Sequence, residues 1–229
     1  MFKLFPKFLL LFFILSTQSG CYLNSDNASS GSSTFVSFKT DVTAIFTSKC
    51  TTSGCHIGAT PAGSLNLDPA STDIATIHAY LLANEITLAT PDQSQLLMKA
   101  SNTTTHTGGA VLATSSAEYK TILDWITGGA FNDDCTGVSH GFATNVTPIF
   151  TQCTTAGCHD TVKPVLSTTP FDNIDAANDV DATDPINSKL LRKPLGLDSH
   201  TGGAIFTDVN DTDYKTIFCW ISVDAAANN

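Results

Sequence analysis

Beyond Met1 the chain has a single methionine, Met98, and it holds only two tryptophans in 229 residues. Basic residues are scarce too: 11 lysines and arginines face 21 aspartates and glutamates, for a formal charge of −10. A surface of that sign repels phosphate backbones, which excludes nucleic acid as a partner. It favours partner proteins that dock through basic patches. No apolar run after residue 20 is long enough to span a bilayer. Sustained apolar–polar alternation is also missing, so the sequence gives no strand on which to build a sheet.

The first residues have a different character. Lys3 and Lys7 flank the start of an unbroken apolar run over residues 8–15, and small and polar residues then lead up to Cys21. This pattern predicts a secretory signal peptide over residues 1–20. Gln18-Ser19-Gly20-Cys21 resembles a bacterial lipobox, with Gln18 where an aliphatic residue is usual. Cys21 is therefore the expected lipidated N-terminus of an exported, membrane-anchored lipoprotein facing the periplasm or cell surface. A plain signal peptide cleaved nearby is the alternative. Residues 24–34 (NSDNASSGSST) read as a flexible tether, so residues 21–35 form the anchor segment. Without its first 20 residues, which hold two lysines and no acid, the formal charge becomes −12.

The rest of the chain repeats itself. FKTDVTAIFTSKCTTSGCH (38–56) returns as FATNVTPIFTQCTTAGCH (142–159), one residue shorter before its first cysteine. SQLLMK (94–99) returns as SKLLRK (188–193), THTGGAVL (105–112) as SHTGGAIF (199–206), and EYKTILDWI (118–126) as DYKTIFCWI (213–221). Four matched blocks in one order imply a duplicated domain of roughly 95 residues, with copies over 36–134 and 135–229. Phe38, Val42, Ile45 and Phe46 share one helical face, as do Tyr119, Ile122, Leu123 and Ile126. Ser115 or Ser116 caps the second of these helices and Gly128-Gly129 stops it. Residues 73–83 give a further short helix. Domains of this size, mostly loops between two or three helices, need a staple or a large apolar cofactor at their centre.

Seven cysteines in an exported chain point first to disulfides. The repeated Cys-x4-Cys-His motif, however, sets Cys50 and Cys55 before His56 and Cys153 and Cys158 before His159. Covalent haem attachment asks for two thiols that reach the two vinyl groups and a histidine directly after the second thiol to meet the iron. Two intervening residues are usual, and four is a rarer variant. The alternatives are local disulfides within each motif, which leave the histidines unexplained, and zinc. Cys135 and Cys219 remain, and two leftover thiols in an oxidising compartment are expected to pair. Two separate free thiols are the other possibility.

The order of helix, cysteine motif, loop, SxLL segment and a final helix ending WITGGA resembles the small cytochrome c-like domains of bacterial lipoproteins and planctomycete-type membrane proteins. The likeness covers nearly all of 36–134 and, less closely, 138–229, where Ile221-Ser222-Val223-Asp224-Ala225 replaces the family ending. It implies an all-α fold of two tandem cytochrome c-like domains, each a few helices and long loops around one covalent haem c. In that family the sixth iron ligand precedes the final helix and is often methionine. Here that segment carries His106 and His200, each followed by TGGA, and Met98 has Arg192 as its repeat partner. The resemblance therefore implies His56 with His106, and His159 with His200, as axial pairs, and an electron carrier with redox-protein partners rather than an enzyme. A dihaem peroxidase-like enzyme and a non-redox, disulfide-bonded surface lipoprotein are the alternatives. His78 and His140 lack repeat partners and read as ordinary surface or partly buried histidines, and Trp125 and Trp220 as packing against a haem edge.

Overall fold

A computed structural model describes residues 35–229 except Ser53, Ala156, Ala225 and Ala226; the signal segment and Cys21 lie outside it. Every regular element among the described residues is helical. Helix α1 spans residues 38–50 and opens on Ser37, whose Oγ accepts a hydrogen bond from the Thr40 N–H at 3.0 Å. It winds as a wide π-helix over Phe38–Val42 and again over Phe46–Cys50, with an α-turn at Thr43–Ile45 between them. Hydroxyls of Thr43, Thr47 and Thr51 each donate to the carbonyl four residues back, competing with the ordinary ladder along one side.

Its repeat partner α5 (142–153) begins with the same π-winding over Phe142–Val146 but ends as a 3-10 turn over Phe150–Cys153. The residue missing before Cys153 is absorbed there. A four-residue tight turn replaces a five-residue wide one, and both helices deliver their cysteine to the same place.

Six further helices follow in matched pairs. They are α2 (Ile74–Asn84) with α6 (Pro170–Ala176), α3 (Gln95–Ala100) with α7 (Lys189–Arg192), and α4 (Ala117–Thr127) with α8 (Thr212–Val223). The Asp73 carboxylate caps α2 and the Ser116 hydroxyl caps α4, while Gly128 closes α4. Ser94 and Ser188 precede α3 and α7 and are buried; their hydroxyls accept from the Thr87 and Asp181 N–H groups at 3.0 and 2.8 Å. Among the described residues each repeat thus holds four such helices rather than two or three, besides single 3-10 turns at Ala62–Ser64, Pro91–Gln93 and Pro185–Asn187. The SxLL segment was invisible as a helix because it is so short and its leucines face inward.

The buried apolar side chains gather in two clusters, one centred on each repeat, with Phe131 of the first repeat packed into the second cluster against Tyr214 and Phe218. In the first, Phe38, Val42 and Phe46 of α1 are fully enclosed against Ile122, Trp125 and Ile126 of α4, with the Phe38 and Trp125 rings stacked 4.8 Å apart. In the second, Trp220 of α8 lies 4.9 Å from Phe142 of α5. Each such aromatic side chain contributes about 2–3 kcal/mol of burial. The indole N–H groups donate to Phe131 O and Ala227 O, so both tryptophans serve the helix cores. His78 is buried rather than on the surface: its Nε2–H donates to Ala130 O at 2.6 Å, and desolvation holds its pKa below the usual histidine value. His140 pairs with Asp224 at 3.0 Å. Within the first repeat Lys39 pairs with Asp134 at 2.9 Å. The repeats also touch each other: the Asn210 amide donates to Gly129 O at 2.8 Å.

Cys135 and Cys219 form a disulfide, with Cα atoms 5.5 Å apart and a sequence separation of 84. It ties the start of the second repeat to the buried face of α8. Cys135→Ser is expected to lower unfolding stability by about 2–4 kcal/mol through loss of this long closed loop. Denaturant titration of the oxidised wild type and the variant reads it directly, and coincident midpoints would refute a stabilising bridge.

Candidate functional site

The two cysteine motifs fold alike. As the chain leaves α1 and α5, the His56 N–H donates to Cys50 O at 3.1 Å and the His159 N–H to Cys153 O at 3.0 Å. Inside each loop the second cysteine's N–H donates to the residue three back, Thr52 or Thr155, at 2.9 Å. Gly54 and Gly157 sit at φ +80° and +85° with open space where a Cβ would stand, so they are there for backbone conformation, not room. These turns fold each four-residue insert so that both cysteines and the histidine stay together. All four thiols are free and half-buried. Burial pushes the Cys50 thiol up to about 11, with neighbouring Cys55 adding to the shift, and Cys153 is raised in the same way beside Cys158.

The structure brings His56 to His106 and His159 to His200. The ring centroids are 6.0 and 5.9 Å apart, and the ring planes are 6° and 19° from parallel. Each ring is oriented by a backbone carbonyl. His56 Nδ1 lies 3.0 Å from Leu65 O and His106 Nδ1 2.9 Å from Gly109 O. In the second repeat His159 Nδ1 lies 2.8 Å from Pro164 O and His200 Nδ1 2.8 Å from Gly203 O. A carbonyl only accepts, so each Nδ1 carries the hydrogen and each Nε2 keeps its lone pair for a ligand bond.

The glycines of HTGGA have separate tasks. A Cβ on Gly108 would stand 3.0 Å from the His106 ring, and one on Gly202 would stand 3.1 Å from the His200 ring. The following Gly109 and Gly203 adopt φ +68° and +73°, closing the turn whose carbonyl takes the Nδ1 hydrogen. In the structure the first glycine makes room for the histidine's own ring.

In the second repeat these groups border a cavity of about 320 Å³. Cys153, Cys158, His159 and His200 line it, and Phe150, Leu166, Phe206 and Ile217 give it apolar walls. That volume is at the lower end of the ~300–1,000 Å³ typical of small-molecule and cofactor sites. Trp220 is not among its walls, which corrects the expected packing of that indole against the site. Asp179 is: it is buried, and desolvation pushes its carboxyl above the usual carboxylate range against the pull of Lys193, Lys189 and His159. Glu85 is its counterpart in the first repeat, identified by the ladder bonds Leu96 N–H to Glu85 O and Leu190 N–H to Asp179 O. The sequence hid this pair because the segments between motif and SxLL differ in length.

Two imidazoles on opposite sides of one metal ion, each bonded at about 2 Å, have ring centroids roughly 6 Å apart. Both histidine pairs meet that condition. No group of three or more His, Cys, Asp or Glu side chains converges among the described residues. Each site gathers two imidazoles, with Nε2 free for a ligand bond, and two free thiols. Met98 lies in α3, and Arg192 in its repeat position is held by a two-pronged contact with Asp198 at 2.9 Å per bond. Compared with family models, curated proteins and solved structures, the chain matches none.

Proposed function

We propose that the protein is an exported, lipid-anchored electron carrier whose two cytochrome c-like repeats each hold one covalent haem c. The observation that carries this reading is the pair of parallel histidine couples at 6.0 and 5.9 Å, every Nδ1 tied to a carbonyl and each couple beside two free thiols. His56 and His106 would hold one iron, and His159 and His200 the other. Cys50 with Cys55, and Cys153 with Cys158, would supply the thioether bonds. Bound haem supplies one-electron redox chemistry between ferric and ferrous states. The chain's own part is to fix four ring orientations through backbone carbonyls, so little rearranges when charge moves. With His56 and His106 on one iron, and His159 and His200 on the other, no coordination position would be left for a substrate, which would favour outer-sphere transfer over an enzyme's chemistry. Imidazole in place of methionine lowers the potential.

The full chain, expressed in a bacterium with active cytochrome c maturation, tests the reading. The membrane fraction is expected to yield a red protein with a low-spin spectrum that is reversibly reduced and reoxidised, carrying two haems per chain. Fatty-acid labelling is expected to mark the wild type and not Cys21→Ser. A colourless protein of apo mass from such cells would overturn the haem assignment, and an unlabelled, freely soluble wild type would overturn the anchor.

A further inference from the structure

The second half of the chain is acidic, with 11 aspartates against five basic residues over 135–229. Two of the five are accounted for. Arg192 is forked onto Asp198, and Lys215 is half-buried, facing Asp134, Asp133 and Asp73. The other three, Lys163, Lys189 and Lys193, all line the one cavity that holds Cys153, Cys158, His159 and His200. None of the three makes an ion pair among the described residues. Asp179 in the same wall offsets one of them and leaves an excess of positive charge. Cations in so acidic a half would spread out if they served only solubility; here they gather on one rim.

The first repeat is not built this way. Gln95 stands where α7 has Lys189, and residues 57–66, after the first motif histidine, contain no lysine or arginine. Lys99 matches Lys193, but its Nζ already donates to Thr105 O at 2.7 Å.

We propose that Lys163, Lys189 and Lys193 form an anion-binding rim that takes the carboxylate side chains of the tetrapyrrole held in the second site. The assignment rests on the haem reading above and deepens it: it sets the rotational orientation of that group, with its two carboxylates toward α7 and the loop at Lys163. Carboxylates pair strongly with ammonium groups at the edge of a low-dielectric wall, and Lys163 and Lys189 are exposed and free to swing onto them. The same chemistry would suit a free dicarboxylate, so the test separates the two sources.

In full-length Cys153→Ala/Cys158→Ala, haem in the second site is held by its ligands alone while the first stays covalent. Its release to excess apomyoglobin is then timed, with and without Lys163→Gln/Lys189→Gln. Loss of charge-assisted contacts is expected to speed release roughly tenfold. With haem dimethyl ester, whose carboxylates are blocked, the lysine substitutions are expected to change nothing. Equal release of native haem from both chains would overturn the proposal. So would an equal effect on the ester, or a release rate that answers to added succinate rather than to esterification. A wild-type chain that takes up no haem at all overturns the proposed function itself and the rim with it.

Discussion

Cys50→Ala/Cys55→Ala, matured in cells that attach haem covalently, is expected to carry one haem by intact mass where the wild type carries two. Both thiols of the first motif are free and half-buried next to His56, so no other pair in that repeat can form the two thioether bonds. The same change at Cys153 and Cys158 is expected to remove the other covalently added haem mass, leaving any haem there held by its ligands alone. The disulfide of Cys135 and Cys219 takes those thiols out of the competition. The burial of Cys50 adds a second expectation. With its thiol pushed up to about 11, only about one molecule in ten thousand is a thiolate at neutral pH. Haem mixed with apoprotein at pH 7 is therefore expected to bind without attaching, and attachment to need the maturation machinery. Retention of two haem masses in Cys50→Ala/Cys55→Ala would refute the assignment of that motif, whatever the colour of the protein.

Much of the fold was legible because the apolar pattern of two helices is strong. Phe38, Val42, Ile45 and Phe46 point to one face in the sequence and are all buried in the structure. The cap at Ser116 and the stop at Gly128 bound α4 as read, and Ile74–Asn84 falls within a residue of the expected helix at each end. What stayed hidden was short or non-periodic. Four residues of α7 cannot show a 3.6-residue period, and the winding change that absorbs the missing residue before Cys153 has no signature in composition.

The pairing of the candidate site's histidines was legible for a different reason. Duplication set each chemistry-bearing residue beside its counterpart, so His106 and His200 stood out where His78 and His140 did not. The repeat says which residues matter but not how they are held. Carbonyls of Leu65, Gly109, Pro164 and Gly203 orient the four rings, and any residue type at those positions has a carbonyl to offer. The Glu85–Asp179 pair and the lysine rim escaped for a related reason. They lie in segments of unequal length, where alignment of the repeats fails and only the fold restores the correspondence.

His200→Ala is expected to leave haem attached through Cys153, Cys158 and His159 while turning that haem largely high-spin and able to bind carbon monoxide. In the structure His200 faces His159 at 5.9 Å with its Nδ1 committed to Gly203 O, so Nε2 is its one group free to bond a metal. Alanine removes that bond and puts nothing in its place. Gly202 and Gly203 bring no side chain, and Met98 belongs to the other repeat. His106→Ala is expected to do the same to the first haem, and the double variant is expected to bind two carbon monoxide molecules per chain. His200→Met is expected to keep the iron low-spin and raise its potential, since thioether ligation favours the ferrous state. Substitution of His78 or His140 is expected to move neither spectrum. His78 spends its Nε2–H on Ala130 O inside the helix core, and His140 faces Asp224. Carbon monoxide titration of reduced protein gives the count. Spectra unmoved by both alanine changes would place the distal ligands elsewhere, and a wild type that already binds carbon monoxide at one haem would argue for an enzyme. The sixth ligand decides between these outcomes because it alone determines whether a small molecule can reach the iron.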